Sequence, residues 1–408
     1  MNRVDTKGTT ERTESRSAAP KVRDPRLDFF RGIAMFIILV AHTPGNAWTG
    51  WIPARFGFSD ATEIFVFCSG MASAIAFGGA FLKSGFGMGV ARTVFRVWQV
   101  YWAHIGLFFF IAANMALLDM LVGGEEFGSY IGRLNLWPFF DDPMPQIVGI
   151  FTLTYVPNYF DVLPMYLVIL ALMPLMMGLA KVTPWLALGA SVAIWLAANF
   201  NILDLPAEPW SDRTWFFNPF GWQLIFFTGF AFMMGWLPPP PRSVGLIWAA
   251  VAFIVLTSPF SSPRVVDFMK FAWPALADFS MWVYPQPWFA EIRNKPEFGL
   301  LRYIHFLSLA YLAWIAVGEG GRRLIVTAPG VLPAVWRFIM TVVTKVGQQS
   351  LAIFVFSMAM ARMSGFVMDL IGRTAWTTAL VNLTGFAILI GVAYTVAWFK
   401  GSPWRKRA

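Results

Sequence analysis

Charge is scarce in this chain. Only 13% of its 408 residues are Asp, Glu, Lys or Arg, against roughly 25% in soluble domains. That shortage excludes an ordinary solvated surface. Cysteine is nearly absent: Cys68 stands alone in an apolar run, so no intrachain disulfide forms and the compartment cannot be read from thiols. No small-residue cleavage site precedes the first apolar run, so no signal peptide is expected. No internal repeat is found. What the chain has in excess is apolar surface, with 57% hydrophobic and 17% aromatic residues and a mean hydropathy of +0.60.

Long apolar runs at this density predict an all-α integral membrane protein, a bundle of about ten transmembrane helices. The spans are expected at about 27–45, 59–80, 97–121, 161–180, 184–200, 219–237, 244–260, 300–318, 346–365 and 376–399. Apolar stretches at 139–160 and 264–290 are expected to be re-entrant or interfacial. Residues 1–23 are polar and mixed in charge, as a disordered cytoplasmic tail would be. The polytopic domain then covers 24–400, and 401–408 form a basic cytoplasmic tail. The net charge of +9 reads as a topology signal and not as a nucleic-acid footprint. With the N-terminus in the cytoplasm, most Lys and Arg fall on inner segments, which places both termini inside. Most acids fall on the outer side, so the outer loops are expected to be a working surface facing away from the cytoplasm.

The first span carries ionisable groups on one stripe. Arg31 and His42 have ten residues between them; eleven steps of ~100° bring both to one helix face, ~16 Å apart along the axis. Asp28 lies one turn before Arg31. Charge inside a bilayer is costly and usually faces a cavity. His42 falls in the outer half, where the next helix starts with Ser59-Asp60-Ala61-Thr62-Glu63. A carboxylate from Asp60 or Glu63 beside the imidazole would set its tautomer and strengthen it as a base toward a substrate hydroxyl. The plainer alternative is a buried histidine satisfying a kink near Pro44. His104 and His305 lack such a setting and read as structural. Cys68 and Ser69 have no second histidine placed beside them; small residues at a helix contact explain them. Arg31 suits an anionic group entering from the cytoplasm, a phosphate or a pantetheine-linked cofactor. Arg92, Arg96, Arg322 and Arg323 are candidates for the cytoplasmic mouth, or plain topology anchors. Outer loops hold Trp210, Trp215, Phe216, Phe217 and Trp222, readable as an interfacial aromatic belt or as a surface on which sugar rings stack.

Several segments resemble one family. They are Arg23-Asp24-Pro25-Arg26-Leu27-Asp28-Phe29-Phe30-Arg31-Gly32, His42-Thr43-Pro44-Gly45-Asn46 and Phe56-Gly57-Phe58-Ser59-Asp60-Ala61-Thr62-Glu63-Ile64-Phe65-Val66-Phe67-Cys68-Ser69-Gly70. Trp215-Phe216-Phe217-Asn218-Pro219-Phe220-Gly221-Trp222-Gln223 and Gly347-Gln348-Gln349-Ser350-Leu351 do so as well. Together they resemble the OpgC family over roughly residues 23–400. The resemblance implies a multi-pass enzyme of the bacterial inner membrane that puts succinyl groups on osmoregulated periplasmic glucans. It also implies kinship with membrane acyltransferases that open with an arginine or lysine, ten residues and a catalytic histidine, a pair that Arg31 and His42 match. On this reading succinyl-CoA is the acyl donor, a periplasmic glucan the acceptor, and no metal is needed. Catalysis is expected from His42 with Asp60 and Glu63. Donor binding is expected from Arg31, Asp28, Arg92 and Arg96. Arg55 is a candidate for the succinyl carboxylate, and Trp215, Asn218 and Trp222 for the sugar. The departure at Gln348 and Gln349 leaves the acyl group open. A transporter or flippase using His42 as a proton site is the second class, since the same buried charges would serve it.

Overall fold

A computed structural model describes residues 24–123, 128–261 and 263–405. The expected tail at 1–23, and residues 406–408 of the basic C-terminal segment, lie outside them. The described residues build helices joined by loops, with no β-strand among them. In chain order the principal helices are α1 (Pro25–His42), α2 (Ala61–Lys83), α3 (Phe86–Val122), α4 (Val162–Val182), α5 (Pro184–Asn199), α6 (Pro219–Met234), α7 (Val244–Thr257), α8 (Leu300–Val317), α9 (Val331–Gln348), α10 (Ser350–Ile371) and α11 (Ala375–Lys400). Six of them, α2, α3, α4, α8, α10 and α11, are long and apolar enough to cross a bilayer. A seventh crossing results if α7 and the helix after it, which meet at 91°, count as one broken span. The chain is a multi-pass membrane protein. Helices α5 and α6 are apolar but shorter. Helix α1 has 18 residues but carries Arg26, Asp28 and Arg31. The apolar stretches at 139–160 and 264–290 form short helices, among them Pro143–Thr152 and Pro274–Val283.

Local chemistry sets the helix starts that matter for function. Asp24 accepts the Arg26 N–H at 3.0 Å, and Pro25 occupies the first turn of α1, where its missing N–H costs nothing. The pair Asp60 and Glu63 forms a capping box at the start of α2: Asp60 Oδ1 accepts from Thr62 N at 2.7 Å and Glu63 Oε2 accepts from Asp60 N at 2.8 Å. Both carboxylates therefore already serve the backbone, satisfying donors that a helix start leaves open. Within α2, Ala74–Gly78 winds as a π-helix, a local widening that recurs at functional sites.

Two expected boundaries are corrected. Helix α3 begins at Phe86, so Arg92 and Arg96 ride on it. The ninth span begins at Ser350, and the segment before it is a separate helix, α9. Its charges, Arg337 and Lys345, conceal an apolar face that buries Met340, Val342 and Val346, and average hydropathy does not see a face. Helix α9 lies directly on α1. A Cβ at Gly347 would collide with the Asp28 carbonyl, and one at Gly32 with the Val343 carbonyl. Gly347→Leu is thus expected to prise α9 from α1 and lower stability by about 1–3 kcal/mol, read as a drop in unfolding temperature in detergent. An unchanged temperature would mean that the two helices separate without loss.

Candidate functional site

Helices α1 and α10 run side by side and parallel. Arg31 donates to the Ser350 hydroxyl near one end, and Pro44 packs where a Cβ on Gly365 would stand at the other. His42 lies ~16 Å up α1 from Arg31, and Arg362 ~18 Å up α10 from Ser350. The two side chains therefore share a depth.

At the Arg31 end a cavity of about 1520 Å³ opens between α2, α3 and α10. Arg31, Arg92, Arg96 and Lys400 line it, with Ser69, Ser73, Gln99, Gln348 and Gln349 as neutral polar groups and exposed Phe95, Trp98, Trp102 and Phe110 along the α3 wall. Three residues expected together from the sequence, Arg31, Arg92 and Arg96, thus meet in one space. Asp28 is buried behind them and is not part of the wall. Arg322 and Arg323 lie elsewhere; Arg323 caps the carbonyls at the end of α8, 3.2 Å from that of Ala316. The cavity wall climbs α10 from Ser350 to Ala359, a rise of ~14 Å that stops one turn short of Arg362.

At the other end His42 is half-buried, its ring 5.2 Å from that of Tyr159. Among the described residues neither imidazole nitrogen meets a hydrogen-bond partner. The Arg362 guanidinium lies over the same Tyr159 ring at 3.8 Å. The expected carboxylate partners of His42 are near but engaged. Asp60 pairs with Lys295 at 2.6 Å and Glu63 with Arg302 at 2.5 Å. Neither makes a hydrogen bond to the imidazole among the described residues, because a charge-assisted bond to a cation outcompetes one to a neutral ring. His305 bonds Ser59 Oγ through Nδ1 at 2.7 Å, in keeping with a structural part. His104 is fully buried with both ring nitrogens unpartnered among the described residues.

The residues expected to hold sugar are packed inside. Trp222 is 0% exposed and donates its indole N–H to the Lys295 carbonyl at 3.0 Å. Trp215 is 4% exposed and donates to the Pro206 carbonyl at 3.1 Å. Asn218 caps α6 and donates to the Leu203 carbonyl at 2.7 Å, while its backbone N–H holds the Pro296 carbonyl at 3.0 Å. As packed, these rings have no face for a sugar. Trp222 clamps the loop that carries Lys295, and through it the Asp60 end of α2, while Trp215 packs against Val156 and Ala207. Arg55 is exposed on a loop and donates to the Thr49 carbonyl at 3.3 Å. On the loop between α5 and α6, burial pushes the Glu208 carboxyl up, but bonds from Arg213 and Ser211 hold it below the usual glutamate range. Sequence reading missed Lys295, Arg302, Tyr159 and Arg362. Arg302 and Arg362 left a signal, each as a charge within an expected span, 300–318 and 346–365; Lys295 and Tyr159 left none.

A helical bundle with a basic cavity at one end and a half-buried imidazole at the other defines a polytopic membrane protein. The family model described as OpgC protein matches residues 23–401, nearly the whole chain. The chain belongs to the OpgC family, whose members are glucan-modifying transferases. No curated protein and no solved structure matches it.

Proposed function

We propose that the protein is a transmembrane O-acyltransferase of the bacterial inner membrane, moving a succinyl group from succinyl-CoA in the cytoplasm to a hydroxyl of a periplasmic glucan. The observation that carries this reading is the shared line of α1: Arg31 opens into the basic cavity, and His42, with both ring nitrogens unengaged among the described residues, stands ~16 Å further along. The nucleotide phosphates would meet Arg31, Arg92, Arg96 and Lys400 at the cytoplasmic end. The thioester would rise along the α10 wall toward His42. There the imidazole takes the proton of the glucan hydroxyl as its oxygen attacks the thioester carbonyl. The C–S bond breaks, the proton passes to the departing sulfur, and an ester and free CoA result. Holding both substrates at one point supplies the rest of the rate.

This orientation puts both termini in the cytoplasm. With α1, α5, α6 and the broken α7 counted as crossings beside the six long helices, the total is about ten. The test is direct: the purified full-length chain, given succinyl-CoA and a β-glucan, should release free thiol and yield a succinylated glucan by mass. Movement of glucan into proteoliposomes with no thiol released would replace this reading with transport.

A further inference from the structure

The site around His42 holds one cation that the reading above leaves unused. Arg362 sits mid-helix on α10, half-buried, and among the described residues no carboxylate meets it. Its Nε is buried without a hydrogen-bond partner among those residues. The neighbouring cations are engaged: Lys295 with Asp60, Arg302 with Glu63, and Arg373 with Asp369. A guanidinium at membrane depth with no anion is expensive unless an anion arrives.

The surroundings hold that guanidinium ready. Tyr159 presents its ring face at 3.8 Å, and a guanidinium stacked on a ring can still donate hydrogen bonds in its own plane. The ring is pinned, since the Tyr159 hydroxyl donates to the Met358 carbonyl at 2.7 Å, one turn before Arg362 on the same helix. Tyr159 itself has φ +87, a strained conformation for a bulky side chain that persists where the surroundings enforce it, often at sites of function. Its ring is also the neighbour of His42, so a single fixed side chain spaces the base from the cation. The cavity wall ends one turn below, at Ala359, which is where the acyl end of a donor held by the basic mouth would emerge.

We propose that Arg362 grips the free carboxylate of a dicarboxylic acyl group through its guanidinium edge, and so selects such donors over neutral ones. This rests on the acyl-transfer reading and specifies its donor pocket. A planar carboxylate fits the fork with two parallel bonds, whereas a neutral acyl chain of equal length leaves the cation unanswered.

The experiment compares succinyl-CoA with butyryl-CoA, its neutral counterpart of equal chain length, in the wild-type chain and in Arg362→Gln and Arg362→Lys. Losing a charged hydrogen-bond pair should cut succinyl transfer by about ten- to a hundredfold in Arg362→Gln, with butyryl transfer unchanged or raised. Arg362→Lys should fall between, and its butyryl activity reports the fold. Equal losses with both donors, or no loss with succinyl-CoA, would overturn the proposal. A second readout needs no turnover: monomethyl succinate, but not methyl butyrate, should raise the unfolding temperature of the wild-type chain and not of Arg362→Gln. An inactive wild-type chain with that binding difference would retire acyl transfer and keep the anion site. An active chain without donor preference would retire the anion site and keep acyl transfer.

Discussion

Replacing His42 with alanine is expected to lower ester formation by at least about a hundredfold and up to about ten-thousandfold, the range supplied by a positioned general base. The loss should fall on turnover. His42 makes no hydrogen bond among the described residues and touches Tyr159 ring to ring, so its removal leaves no buried polar group unsatisfied. Donor binding in the basic cavity, which Arg31 lines ~16 Å along α1 from His42, should stay within a few-fold, measured by protection of the chain against thermal unfolding by CoA. His42→Gln should behave like alanine in turnover, since an amide keeps the polarity but takes no proton. Full activity in either variant would end the histidine-base mechanism. A chain unable to insert or fold would show as a lowered unfolding temperature, which the absence of any hydrogen bond to the imidazole among the described residues argues against.

The second large effect is on stability. Glu63 is 0% exposed and the Arg302 side chain 11% exposed, with oxygen and nitrogen 2.5 Å apart. The pair ties the start of α2 to the first turn of α8. Breaking a buried pair from one side strands the other charge, which costs about 3–5 kcal/mol. Arg302→Met should therefore lower the unfolding temperature far more than Lys295→Met does, because the Lys295 and Asp60 side chains are 28% and 13% exposed and solvent screens that pair. The double variant Glu63→Gln with Arg302→Met should recover most of the loss. Glutamine keeps an acceptor for the Asp60 N–H of the capping box and removes the stranded charge. An Arg302→Met chain as stable as wild type would show that Glu63 is neutral or hydrated in the folded protein.

Asp60 and Glu63 stand out in the sequence, but their spacing has two meanings. Acid, two residues, then Glu at position 63 is the spacing of a capping box, and it also looks like a pair of acids beside a histidine. The two readings share residues and differ only in where the carboxylates point. That direction depends on Lys295 and Arg302, more than two hundred residues downstream. The tryptophans of 215–223 pose the same ambiguity. Their clustering is visible in the chain, but the burial of Trp222 against the loop at 295–298 and of Trp215 against Val156 and Ala207 is not.

The linear order of residues is enough to show that the chain is helical and membrane-embedded, since long apolar runs have no other stable home. It also places Arg31 and His42 on one face, because helical periodicity is local. It brings Arg92 and Arg96 forward as candidates, and the fold delivers them to the same cavity as Arg31. Periodicity gives no information about which helices pack together. The parallel contact of α1 with α10, set by Ser350 against Arg31 and Gly365 against Pro44, is what lifts Arg362 to the depth of His42. The amphipathic α9 seated on α1, and the pairing of each carboxylate with its cation, arise the same way. Partners distant in the chain are chosen by packing and by competition among charges, and neither is written in the spacing of neighbours.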